Sequence, residues 1–285
     1  MIQNEIKTVI LLGLLTGILL WVGNLIGGFS GLTIAFVFVI FMNFASYWWS
    51  DKIVLFIYRA KEVKQSQAPR LYRLVKHVAQ LKELPLPKVY IIPGAFSNAF
   101  ATGRNPKHGA VACSQGILEL LNDEELEGVI AHEMSHIKNR DTLIQSVAAT
   151  IAGIISYIAM MARWAALFGG FGGRDKDNNN VLELLVLGIL TPLLATIIQL
   201  AISRSREYMA DESAAKTLGN GQGLASALSK LDKDIKEKPL RAIATTETTA
   251  HLFIANPFRM QGLLTLFSTH PHIQERIKRL KAMSF

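Results

Sequence analysis

The run His132-Glu133-Met134-Ser135-His136 holds side chains whose types and spacing can do chemistry. On an α-helix, residues i and i+4 share a face, so His132 and His136 can aim two imidazoles at one ion. Glu133, about 100° round the same helix, then reaches a water on that ion. Zinc held by neutral imidazoles with one position open lowers the pKa of a bound water to about 7, and a nearby carboxylate takes the proton as the water attacks a carbonyl. The spacing therefore predicts a metallohydrolase, with His132 and His136 as ligands and Glu133 as general base. By composition alone such a string arises in roughly one chain of this length in a hundred or fewer.

A third ligand is needed. Cys113 is the only cysteine, which excludes an intrachain disulfide and a thiolate cluster and leaves His or carboxylate for the metal. Glu207 and Asp211, four apart in Ser205-Arg206-Glu207-Tyr208-Met209-Ala210-Asp211, share one helix face. His136 lies seven residues before an apolar run that starts at Leu143, and Glu207 five after a run that ends at Ile202. If each helix continues from its run, both stand roughly 8 to 10 Å beyond the hydrocarbon edge on the same side. Glu207 is then the expected third ligand, and Asp211 a carboxylate that orients a ligand histidine by hydrogen bond. The competing reading of this pair is ion pairing with Arg204, Arg206 or Lys216 on a wet face.

The elements that must position these residues are legible in outline. Asn122 or Asp123 is the expected N-cap of the metal helix, with Glu124, Glu125 and Glu127 in its first turn and Leu126, Val129 and Ile130 facing a core. Ahead of it the pattern predicts a helix over 69–84, a strand over 88–92 closed by Pro93-Gly94, a short strand over 98–102 and another over 109–113. His77 reads as a residue of an amphipathic helix and His108 as a turn residue.

The remaining sequence is too apolar for an ordinary soluble enzyme, with 50% hydrophobic residues and a mean hydropathy of +0.29. Uncharged runs over 8–29 and 32–49 are each long enough to cross about 30 Å of hydrocarbon as a helix, and Gly27 to Gly31 would turn one into the other. Runs over 143–162 and 181–202 make a second pair joined by a glycine- and asparagine-rich outer loop over 163–180. The net charge of +8 suits anionic headgroups or nucleic acid. Its basic residues cluster at the ends of apolar runs, at Lys52, Arg59, Lys61, Lys64, Lys138, Arg140, Arg204 and Arg206. By the positive-inside rule that places both termini and the polar regions 51–142 and 203–285 on the cytosolic side and argues against nucleic acid. Tyr47, Trp48 and Trp49 read as an interfacial belt.

Taken together, these residues resemble the HtpX heat-shock metalloproteases, membrane relatives of the CAAX prenyl proteases. The resemblance covers nearly the whole chain. It is carried by the four apolar runs in order, Asn98-Ala99-Phe100-Ala101-Thr102-Gly103, His132 to His136, Glu207 to Asp211, and Thr269-His270-Pro271 with Arg276. It implies a mainly α membrane protein, with four transmembrane helices and a cytosolic zincin-type α+β protease domain containing a small sheet. One zinc ion would be held by His132, His136 and Glu207, with Glu133 catalytic, as in gluzincins. His270 would be a further ligand or a donor to the oxyanion, with Arg276 assisting. The segment Asn98, Ala99 and Phe100 resembles an edge strand that holds substrate in extended form. The implied activity is cleavage of membrane or misfolded proteins at the cytosolic face of the inner membrane, in protein quality control. The alternatives are a CAAX-type prenyl-protein protease, a transporter, or a non-catalytic membrane scaffold.

Overall fold

The computed structural model describes residues 2–147, 151, 204–237, 254 and 272–284. Four short strands form one mixed sheet. They are β1 (Lys61–Glu62), β2 (Lys88–Ile92), β3 (Ala99–Thr102) and β4 (Ala110–Ser114), in the spatial order β1-β2-β4-β3. β2 and β4 run parallel, while β1 and β3 pair antiparallel with β2 and β4 respectively. The expected strands are present, each shifted by no more than one residue.

Side chains alternate across a strand, and here both faces are covered. Val89, Ala99, Ala101, Val111 and Cys113 enter the main core. Ile92, Phe100, Ala110 and Ala112 pack on the opposite face against Val54, Leu55 and Tyr58 of helix α1 (Ile2–Ile57). The Phe100 and Tyr58 rings lie 5.2 Å apart. One end of α1 is therefore part of the sheet's packing.

Helix α1 runs from Ile2 to Ile57, yet its chain doubles back. Asn43 Nδ2 donates to Thr16 Oγ1 at 2.8 Å, although 27 residues separate them; a straight helix would set them about 40 Å apart. The reversal falls at Gly28, whose φ of +54° belongs to the left-handed region that glycine adopts at little cost. A Cβ on Gly23 would lie 2.7 Å from the Gly31 carbonyl, so the arms meet too closely there for a side chain. The expected runs 8–29 and 32–49 are the two arms, and the second continues past its expected end to Ile57. Among the described residues, Gly28–Ala45 is the one stretch long and apolar enough to cross a membrane. The expected runs 143–162 and 181–202 and the loop 163–180 lie outside the described residues, apart from 143–147 and 151.

Helices α2 (Pro69–Leu81), α3 (Gln115–Leu120), α4 (Asp123–Asn139), α5 (Arg204–Leu218), α6 (Gln222–Glu237) and α7 (Ile273–Ala282) complete the domain. The helix expected over 69–84 stops three residues early, because Glu83 takes a φ of 56° and turns the chain into Leu84-Pro85-Leu86-Pro87. His77 on α2 pairs with Glu127 on α4 at the surface, and His108 closes a 3-10 turn (Pro106–His108).

Helix α4 is the axis of the fold. It packs against α2, α5, α6 and β3, and Leu126, Val129, Ile130, Ala131 and Met134 are 0% exposed. Gly128 lets it approach α6 closely: a Cβ there would sit 2.7 Å from the Leu224 amide nitrogen and 2.9 Å from its Cα. Those atoms are backbone and cannot rotate away. Gly128→Ala should therefore destabilise the fold by about 1–3 kcal/mol through overpacking, against the gain of about 1 kcal/mol that helix propensity alone predicts. Denaturant unfolding reads the sign; a stabilised variant would show that α6 is free to move.

A candidate metal centre on helix α4

Asn122 begins α4 with a capping box. Its side chain accepts from the Glu125 amide at 2.9 Å while the Glu125 carboxylate accepts from the Asn122 amide at 2.9 Å. Glu125 also accepts from Ser226 Oγ and Lys230 Nζ, tying the start of α4 to α6. Helical spacing then brings His132 and His136 to one face three to four turns on.

The two Nε2 atoms lie 3.3 Å apart. From α5, Glu207 brings Oε1 to 3.4 Å from His136 Nε2 and Oε2 to 3.6 Å from His132 Nε2. One ligand atom from each of the three residues falls within 4.8 Å of the others. All three side chains are buried. The convergence does not come from one straight helix carried down into a membrane run. α4 ends at Arg140, whose φ of 59° breaks the helix, and a new helical stretch starts at Asp141.

Each imidazole is held from behind. His132 Nδ1 sits 2.9 Å from Asp211 Oδ1, and Arg276 of α7 grips the same carboxylate at 2.8 and 2.7 Å through Nε and Nη2. Arg276 Nη1 also donates to the Ile254 carbonyl and stands 3.6 Å from Glu207 Oε2. His136 Nδ1 sits 3.0 Å from Asp141 Oδ2, and Arg206 Nη1 lies 3.7 Å from Asp141 Oδ1. An Nδ1–H given to a carboxylate leaves the Nε2 lone pair for a metal, so two imidazoles and one carboxylate fit the donor set of a catalytic zinc site. Asp141 and Arg206 escape a reading of the sequence. The signal available was an acid five residues after the second histidine, which becomes meaningful only once the chain turns back at Arg140.

The electrostatics follow from burial. Desolvation lowers the affinity of His132 for a proton, but hydrogen bonds to Asp211 and Glu207 outweigh it and push the pKa up to about 9. Burial pushes the Glu133 carboxyl up, helped by Glu207 and opposed by His132 and His136. For Asp211 burial acts upward too, but the Arg276 guanidinium more than offsets it and holds the carboxyl below the usual range. Cys113 is fully buried, which pushes its thiol up to about 12 and makes it inert.

Glu133 also touches the sheet. Its Oε2 accepts the Ala101 amide at 2.9 Å. The Ser114 amide donates to the Asn98 carbonyl, so in this antiparallel ladder Phe100 and Thr102 face β4 while Ala99 and Ala101 turn their main chain to the outer edge. Phe100 thus points its main chain inward to the sheet and its side chain onto Tyr58. Asn98 Oδ1 accepts the Ile254 amide at 3.2 Å, and its buried Nδ2 has no hydrogen-bond partner among the described residues. His270 lies outside the described residues.

The sequence comparisons agree with one another. The sequence profile of peptidase family M48 matches residues 65–284. A protease HtpX homolog of Syntrophotalea carbinolica is 54% identical over 282 residues, covering 99% of both chains. One from Pyrococcus furiosus is 50% identical over 279 residues, covering 98% of this chain and 96% of its own. The crystal structure of S. mikatae Ste24p is 20% identical with a TM-score of 0.49, covering 98% of this chain and 65% of that one.

Because Asp141 orients His136 as Asp211 orients His132, Asp141→Asn should weaken metal binding by about 10- to 100-fold. Competition with a chromophoric chelator measures this on the detergent-purified chain. Affinity equal to wild type would mean that the Asp141 contact does not shape the ligand.

Proposed function

The chain belongs to peptidase family M48, and on that premise we propose a zinc endopeptidase, held in a membrane, that hydrolyses peptide bonds of membrane or misfolded proteins at the cytosolic face. The observation that carries the reading is the convergence of His132 Nε2, His136 Nε2 and the Glu207 carboxylate within 4.8 Å. Zinc bound by that set supplies a Lewis acid and a water acidified to near neutrality.

The chain's own groups do the rest. Glu133 is the general base: a carboxyl raised by burial holds a proton more readily near neutral pH, which suits a group that takes one from water and returns it to the leaving amine. Asp211 and Arg276 keep His132 fixed in orientation. His270 serves as a further ligand or as a donor to the developing oxyanion. Asn98 and Ala99 offer the substrate an amide donor and an outward main chain, and the buried Nδ2 of Asn98 supports that role. Phe100 contributes to this surface indirectly, by anchoring β3 on Tyr58.

Four spans over 8–29, 32–49, 143–162 and 181–202, with both termini in the cytosol, complete the proposal. The doubled-back α1 and the apolar stretch Gly28–Ala45 support its first half. Basic residues at Lys52, Arg59, Lys138 and Arg140 support the orientation.

Glu133→Ala should retain metal, since the ligands are untouched, and lose at least about 100-fold in cleavage of a membrane-anchored substrate. Metal analysis beside identified cleavage fragments tests both halves. Cleavage at the wild-type rate would overturn the mechanism.

A further inference from the structure

Lys82, the residue that caps α2, is only 3% exposed, and its hydrogen-bond partners carry no charge. Its ammonium donates to Ser135 Oγ at 2.9 Å, to Thr217 Oγ1 at 3.0 Å and to Ser213 Oγ at 3.1 Å, with the Ser213 carbonyl at 3.4 Å. An ammonium has three N–H donors, and three hydroxyls meet them. Two of those hydroxyls are already oriented by their own helices: Ser135 donates to the Ala131 carbonyl at 2.8 Å and Thr217 to the Ser213 carbonyl at 2.7 Å. Their lone pairs are left for the lysine.

A cation withdrawn from water among neutral partners stabilises a fold less than an apolar side chain of the same shape would. Burial, with Lys138 beside it, pulls the Lys82 pKa down to about 8. Stability therefore does not account for the choice of residue. What the tripod provides is direction. Ser135 stands between Glu133 and His136 on α4, and Ser213 and Thr217 follow Glu207 and Asp211 on α5. Apolar packing between α4 and α5 is non-directional and tolerates sliding and rolling, whereas a metal site tolerates about 0.5 Å. Three hydrogen bonds from one nitrogen to fixed points on both helices remove that freedom.

We propose that Lys82 is a positioning residue for the metal centre, locking the helix that carries His132 and His136 against the helix that carries Glu207 through Ser135, Ser213 and Thr217. This rests on the reading of those three residues as ligands. Lys82 touches none of them and acts only through the helices.

The test is Lys82→Met, which keeps length and removes the tripod, made in the full-length detergent-purified chain. Unfolding of the metal-free variant should match or exceed wild type, while zinc affinity, read by chelator competition, should fall at least about tenfold, as for other groups that orient ligands. Folded Lys82→Met with zinc affinity within twofold of wild type overturns the proposal. Should Lys82→Met fail to fold, the double variant Ser213→Ala, Thr217→Ala keeps the lysine and removes two legs; it should show the same loss, and unchanged affinity there overturns the proposal as well. Adding Ser135→Ala to Lys82→Met should cost little more affinity, since both act through one lock. Glu207→Ala separates the premise: if it leaves zinc affinity unchanged, the ligand reading fails whatever Lys82 does.

Discussion

Charge taken out of water must be answered by charge or by hydrogen bonds, and the arrangement of this protein around its metal helix follows from that requirement. His132, Glu133, His136, Asp141, Arg206, Glu207, Asp211 and Arg276 are all buried, in contact or in series, where α4 meets α5 and α7. Four carboxylates and two guanidiniums surround the two imidazoles, an acid-rich set that a cation between His132, His136 and Glu207 would complement. At His132 desolvation is outweighed by hydrogen bonds to Asp211 and Glu207, so its pKa rises, whereas at Glu133 burial itself raises the carboxyl.

The same requirement explains why each histidine is backed by an aspartate and each aspartate by an arginine. Arg276 meets Asp211 in a two-pronged grip at 2.8 and 2.7 Å, whereas Arg206 stands 3.7 Å from Asp141. The His132 arm is the tighter of the two and draws on a third helix, α7. Its arginine also holds the Ile254 carbonyl, so that one guanidinium joins the carboxy-terminal helix, the residue that caps Asn98, and the metal helix. The carboxy-terminal region is thereby wired into the site.

Much of this was legible in the sequence, and the parts that were not share a cause. His132, Glu133 and His136 declare themselves because their chemistry is local to one helix, and Asn122 with Glu125 because a capping box is a local pattern. Glu207 and Asp211 were reachable through their four-residue spacing and the expectation that two apolar runs end at one level. Their meeting with the histidines holds even though the assumed straight helix breaks at Arg140. That break hid Asp141, since a left-handed arginine in the middle of an apparent helical run has no strong sequence signal. Lys82 was hidden for a different reason. Its ammonium finds its three hydroxyls on residues 53, 131 and 135 positions away. Long-range polar contacts between surface-like residue types leave no periodicity to read. Phe100 looked like a contact for substrate because it lies in the edge strand; its burial depends on which face of the sheet α1 covers, a tertiary fact.

The edge strand and Glu133 are one mechanical unit. Glu133 accepts the Ala101 amide, the main chain of Ala99 and Ala101 faces outward, and Phe100 fixes the strand on Tyr58 at the end of α1. Thr102 Oγ1 meets Ser146 Oγ at 2.6 Å, and the Gly103 carbonyl accepts from Thr142, both in the stretch that follows Asp141. β3 is thus pinned at one end by α1, at the other by the helix that starts at Asp141, and in the middle by the Glu133 carboxylate. A chain added to that edge would meet a strand whose position is set by the same segments that set His136, through Asp141. The register of such a strand relative to His132 and His136 would then be a property of the backbone frame rather than of loop closure.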